Sequence, residues 1–120
     1  MTTYVVLISG QESAWAARTD ADRQATMEAH QTFARTLAER GHKMTAGEEL
    51  TGPREGRVVR RDGDGFRITD GPYAETVEQL GGFYVVESDD LDDLMQVVGV
   101  LARTEGAVEV RGTVDHSGDM

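Results

Sequence analysis

Asp70-Gly71-Pro72-Tyr73-Ala74-Glu75-Thr76, followed by Leu80-Gly81-Gly82-Phe83-Tyr84-Val85-Val86-Glu87, is the stretch on which the reading of the fold turns. A carboxylate, a proline-fixed turn, a short polar segment and a double glycine lead directly into an apolar strand, Gly82 to Glu87. Pro72 fixes its own φ and restricts Gly71, so Asp70 is presented in a narrow range of directions. The glycine pair permits a tight strand entry and a close backbone approach. A phosphate cradle would need a helix N-terminus next, and here a strand follows.

Reading onward from the strand, Leu91, Leu94, Met95, Val98, Leu101 and Ala102 make one continuous helical stripe. Asp89, Asp90, Asp92 and Asp93 crowd its first turn, where the positive end of the helix dipole favours them. Gly106 stops the helix, Val108 and Val110 alternate with Glu109 and Arg111 as a last strand, and Asp115 to Met120 reads as a frayed tail. Reading backward, Val58-Val59 and Phe66-Arg67-Ile68 flank Asp62-Gly63-Asp64-Gly65, the pattern of a hairpin. Before it come a strand at Tyr4 to Ser9, a linker-like Gln11 to Ala17 carrying Trp15, a helix from Thr19 or Asp20, and a strand at Lys43 to Leu50. Met27, His30, Phe33, Ala34 and Leu37 recur at helical spacing before Gly41. Thr51-Gly52-Pro53 breaks the strand that follows.

The order is β-α-β, hairpin, β-α-β, in a single domain over residues 1–114. Right-handed crossovers turn that order into an α+β, ferredoxin-like arrangement: an antiparallel sheet with both helices on one face. The other face is left bare, yet Tyr4-Val5-Val6-Leu7-Ile8 and Phe83-Tyr84-Val85-Val86 are apolar at both inward and outward positions. Such a pattern suits a sheet covered on both sides, so a homodimer through the sheet face is expected.

Composition narrows the function. The 120-residue chain has no cysteine, which removes disulfides, thiolate nucleophiles and Cys-bound metals. Twenty-two acidic against twelve basic side chains give a net charge of −10, a surface that phosphate backbones repel, and no nucleic-acid binding is expected. Arg57, Arg60, Arg61 and Arg67 form the one basic cluster, read as a solvated hairpin face. No apolar run approaches the ~20 residues of a membrane span. Met1-Thr2-Thr3 leads into the first strand without a basic leader, so the expectation is a cytoplasmic protein without membrane contact. His30, His42 and His116 show no metal-binding spacing, and nucleotide, flavin and nucleophilic-serine motifs are missing, so no metal and no cofactor are expected. His42 is expected to meet the C-terminal carbonyls of the first helix.

The stretch at Asp70 to Gly82 resembles the signature of the DGPF group within the YCII-related family, whose usual form reads Asp-Gly-Pro-Phe-Ala-Glu-Thr-Lys-Glu-Gln-Leu-Gly-Gly. Tyr73 stands for Phe and Val77 for Lys. The resemblance implies a dimeric α/β barrel built by pairing two sheets. It also implies an active-site pair of a histidine in the first helix and an aspartate, at positions matched here by His30 and Asp70. Histidine exchanges a proton near neutrality, and a rigidly held carboxylate can orient an imidazole and stabilise its charged form. Each residue has a plainer account as well: His30 as a structural side chain on a core flank, Asp70 as a turn-fixing carboxylate.

Trp15, Tyr73, Glu75 and Phe83 are the candidate ligand contacts. Trp15 also suits closing the end of a barrel, Tyr73 a rim position, and Glu75 with Thr76 a capping role. Two functions follow. One is a cofactor-independent enzyme in which His30 and Asp70 move a proton on a small organic molecule, in an isomerase- or lyase-type step. The other is a non-catalytic ligand-binding or regulatory module, since DGPF-type relatives are sometimes joined to, or encoded beside, sigma-factor-like regulators.

Overall fold

The computed structural model describes residues 1–118; Asp119 and Met120, the end of the expected tail, lie outside the described residues. Among the described residues six strands and three helices follow in chain order: β1 (Thr2–Gln11), α1 (Glu12–Ala16), α2 (Asp20–Glu39), β2 (Lys43–Glu49), β3 (Arg57–Asp62), β4 (Gly65–Asp70), β5 (Glu78–Ser88), α3 (Leu91–Val98) and β6 (Ala107–Gly112). Single 3₁₀ turns lie at Pro53–Glu55 and Leu101–Arg103. The main sheet has the order β2-β5-β1-β6 with every pairing antiparallel, while β3 and β4 form a separate two-stranded ribbon. This is an α+β fold with the antiparallel topology of the ferredoxin-like class.

Strand phase sorts the residues. Tyr4, Val6 and Ile8 of β1 share a face with Tyr84, Val86 and Ser88 of β5, and that face packs on Phe33 and Leu37 of α2 and on Leu94, Val97 and Val98 of α3. Leu101 completes this core. Fully burying a side chain of this size contributes about 2 kcal/mol, and it is this shared face that holds the helices down.

The start of α2 matches its sequence. Thr19 accepts from the Asp22 N–H at 3.1 Å while Asp22 accepts from the Thr19 N–H at 2.9 Å, a reciprocal cap. Elsewhere the structure revises the reading. The segment expected as a linker contains the short helix α1. The second helix does not run unbroken to Ala102: α3 stops at Val98, and Leu101 reaches the core from a separate 3₁₀ turn beyond Gly99, a poor helix former. β5 begins four residues before Gly82. The ribbon turns at Gly63-Asp64, with Gly63 at φ +60° as a tight hairpin requires.

His42 also departs from expectation. Only its backbone N–H reaches α2, bonding the Leu37 carbonyl at 2.9 Å. The imidazole is buried, with Nδ1 2.8 Å from Ser88 Oγ and Nε2 2.7 Å from Asp93 Oδ2, and Asp93 also binds Arg40. The trio stitches the end of α2 to β5 and α3. Ser88 is 1% exposed, which closes its hydroxyl to any ligand.

Candidate functional site

α2 carries His30 on the flank of the stripe that buries Phe33 and Leu37. Beneath it in β5 stands Tyr84, two residues before buried Val86 and therefore on the same face. The Tyr84 ring packs on Phe33 and His30, with centroids 5.2 and 5.7 Å apart. Gly47 faces Tyr84 across the β2–β5 ladder, and its lack of a side chain makes the room: a Cβ there would lie 2.3 Å from Tyr84 Cδ1. Glu105 enters from the turn between the second 3₁₀ segment and β6.

These residues form a chain. Tyr84 Oη is 2.6 Å from His30 Nδ1, His30 Nε2 is 2.9 Å from Glu105 Oε1, and Arg18 Nη2 donates at 3.2 Å both to Glu105 Oε2 and to the Thr104 carbonyl. Chemistry sets the direction of the bonds. Burial alone would raise the Glu105 carboxyl, but the hydrogen bond from His30 and the charge of Arg18 outweigh it and hold it below its ordinary range. An ionised carboxylate only accepts, so His30 Nε2–H donates to it. In the uncharged form of the ring, Nδ1 is then the acceptor, and the Tyr84 hydroxyl donates there. Burial, with the Glu105 charge, pushes the Tyr84 hydroxyl above its ordinary value, so it stays protonated. Hydroxyl, imidazole and carboxylate stand in the order used by nucleophilic triads, with a phenol in the place of an alcohol.

The chain borders a cleft of about 710 Å³, whose lining includes Trp15, Arg18, Met27, His30, Phe83 and Tyr84. Trp15 lies across two glycines: a Cβ on Gly10 would meet its Nε1 at 2.7 Å, and one on Gly81 its Cζ2 at 2.9 Å. Gly81 and Gly82 thus serve the close approach their pairing suggests, Gly82 standing where a Cβ would be 3.0 Å from the Glu48 carbonyl.

The candidate residues separate into two groups. His30, Trp15 and Phe83 border the cleft. Asp70 does not: it ends β4, exposed, opposite Arg57 in the ribbon, while both ring nitrogens of His30 are engaged by Tyr84 and Glu105. Within one chain, Asp70 is therefore not the carboxylate partner of His30. Tyr73 is 72% exposed and lies under the Arg60 guanidinium, 4.9 Å from ring centroid to Cζ. Glu75 pairs with Arg54 at 3.5 Å on the surface, and Thr76 donates to the Glu78 carbonyl. The Gly71–Tyr73 turn walls a second cleft of about 350 Å³, which meets the first at Leu50, Thr51 and Gly52.

Glu105, Tyr84 and Arg18 are absent from the sequence-derived site. Tyr84 carried a usable signal, because a tyrosine in phase with buried strand positions needs a partner for its hydroxyl. Glu105 carried none: it lies 75 residues from His30, in a turn of no distinctive pattern. Among the described residues, no group of three or more His, Asp or Glu is placed to hold a metal ion, and no helix is long and apolar enough to cross a membrane.

The fold and the cleft together define a small α+β domain with a half-buried hydrogen-bonded chain of hydroxyl, imidazole and carboxylate between its first long helix and its sheet. The family model for the YCII-related domain matches residues 2–115, nearly the whole chain, and the chain belongs to that family. No protein of curated function matches it.

Proposed function

We propose that the protein is a cofactor-independent acid–base enzyme acting on a small organic molecule, with Tyr84 as the proton-transferring group at the cleft. The observation that carries the reading is the continuous Tyr84–His30–Glu105 chain, bonded at 2.6 and 2.9 Å and bordering that cleft. Tyr84 passes its proton to His30 Nδ1, whose transient positive charge is stabilised by Glu105, itself held in place by Arg18, while the Tyr84 oxygen takes a proton from an acidic C–H of the ligand. Tyr84 then returns a proton to the ligand and is reprotonated from His30, which restores the starting state. His30 keeps the role given to it from sequence, and Glu105 takes the place assigned to Asp70. Proton movement of this kind suits isomerase- or lyase-type steps.

The bare sheet face supports a second part of the reading: a homodimer in which two copies cover each other's sheets, as in a dimeric α/β barrel. Val5, Leu7, Phe83 and Val85 lie on the face opposite the helices.

The test needs no known substrate. A panel of small ketones, 1,3-diones and β-keto acids is incubated with protein in D₂O, and loss of the acidic C–H signal is followed by proton NMR. Wild type is expected to accelerate exchange on at least one class, and Tyr84→Phe and His30→Gln to abolish it. Exchange that survives Tyr84→Phe, or no acceleration across the panel, overturns the proposal.

A further inference from the structure

The β3–β4 ribbon is no part of the main sheet. Its strands pair only with each other, and every residue of β4 is exposed. Register and alternation put Arg57, Val59 and Arg61 on one side together with Phe66, Ile68 and Asp70. Val59, Phe66 and Ile68 are 63, 67 and 58% exposed, an apolar strip on a two-stranded ribbon of a kind that is marginally stable alone.

Shape and area show that the single chain leaves surface uncovered. The radius of gyration is 16.6 Å, against about 14 Å for a compact domain of this length. The accessible surface is 8307 Å², against about 6,400 Å² for a compact monomer of this mass. The excess is more than twice the ~800 Å² per partner of an ordinary stable interface.

Charge says what fits the strip. Residues 57–70 carry four arginines and three aspartates, net +1, which leaves −11 on the remainder. The uncovered sheet face has the matching design. Its apolar centre, Val5, Leu7, Phe83 and Val85, is flanked by Glu48 opposite Phe83, Glu109 opposite Leu7 and Glu87 along β5, with Lys43 and Arg111 as the cations on that face. An apolar strip edged by Arg57 and Arg61, with Asp70 opposite Arg57, thus meets an apolar strip edged by three glutamates and two cations.

We propose that the β3–β4 ribbon is a clasp for a second copy of this chain, its Val59–Phe66–Ile68 side lying on the partner's uncovered sheet face. The inference rests on the reading that this face is a contact between copies. β1 and β5, ten and eleven residues long, run about 33 Å, enough to carry both the opposing sheet and the partner's ribbon. Arg57 and Arg61 then reach the glutamates along the rim.

Two measurements test it. Sedimentation velocity compares wild type with a variant carrying Val59→Ser, Phe66→Ser and Ile68→Ser. None of the three residues belongs to the core, so the fold is kept, and the dimer Kd is expected to weaken at least tenfold. Nitrogen-15-labelled wild type is also mixed with unlabelled Asp64→Cys carrying a nitroxide at the ribbon tip, a clean label in a chain without cysteine. Intermolecular broadening is expected at the amides of Val5, Leu7, Phe83 and Val85. A monomeric wild type overturns the dimer and the clasp together. A dimer whose Kd ignores the triple change, or whose broadening misses the sheet face, overturns the clasp alone and leaves the sheet-face dimer standing.

Discussion

At Tyr84 the ring and the hydroxyl do separable jobs. The ring fills the space that Gly47 leaves and packs on Phe33, while the oxygen belongs to the relay. Tyr84→Phe is therefore expected to cost about 1 kcal/mol of stability or less by denaturant melt, with loss of all catalysed exchange. Ring-nitrogen NMR should find His30 protonated on Nε2, and Asp70→Asn should leave that tautomer unchanged; an Nδ1–H tautomer would reverse the proton flow argued for Tyr84. Glu105 adds a pH signature. Its carboxyl is held below the ordinary value of 4.5, so it contributes stability above that pH and loses it as pH falls through the lower, folded-state value. Glu105→Gln should flatten the acid limb of the stability curve below about pH 4.5.

Elements were legible in proportion to how local their causes are. The α2 cap is written in Thr19 and Asp22, three residues apart, and Thr19→Ala should lower stability by about 1 kcal/mol in thermal unfolding. The hairpin turn is written in Asp62-Gly63-Asp64-Gly65, and the structure places it there. The end of α3 was not, because apolar spacing alone continues to Ala102 while the chain breaks beyond Val98 and delivers Leu101 from another turn. His42 was misplaced for the opposite reason. Its partners, Ser88 and Asp93, lie 46 and 51 residues away, so proximity to a helix end pointed to the wrong groups. His42→Ala should cost about 2 kcal/mol by removing both bonds while leaving cleft chemistry intact, which separates this buried trio from the relay. The candidate site divides in the same way: His30, Trp15 and Phe83 reached the cleft, whereas its carboxylate came from a remote turn that no spacing rule finds.

On the scale of the whole molecule, one layer of helices covers one side of a sheet whose other side is apolar at its centre. A cation placed there should be tolerated by an isolated chain and rejected by a pair of copies. Wild type is expected to sediment as a dimer at micromolar concentration and Val85→Lys as a folded monomer; a dimeric Val85→Lys would move the contact elsewhere. The position of Trp15 has a practical consequence. It is the chain's single tryptophan, and its indole spans Gly10 and Gly81 at the wall of the cleft. The intrinsic fluorescence of the native protein therefore comes largely from one place, the cleft wall. Any small molecule that fills the cleft should announce itself as a change in emission, so a compound library can be screened optically on the unmodified chain before any reaction is known.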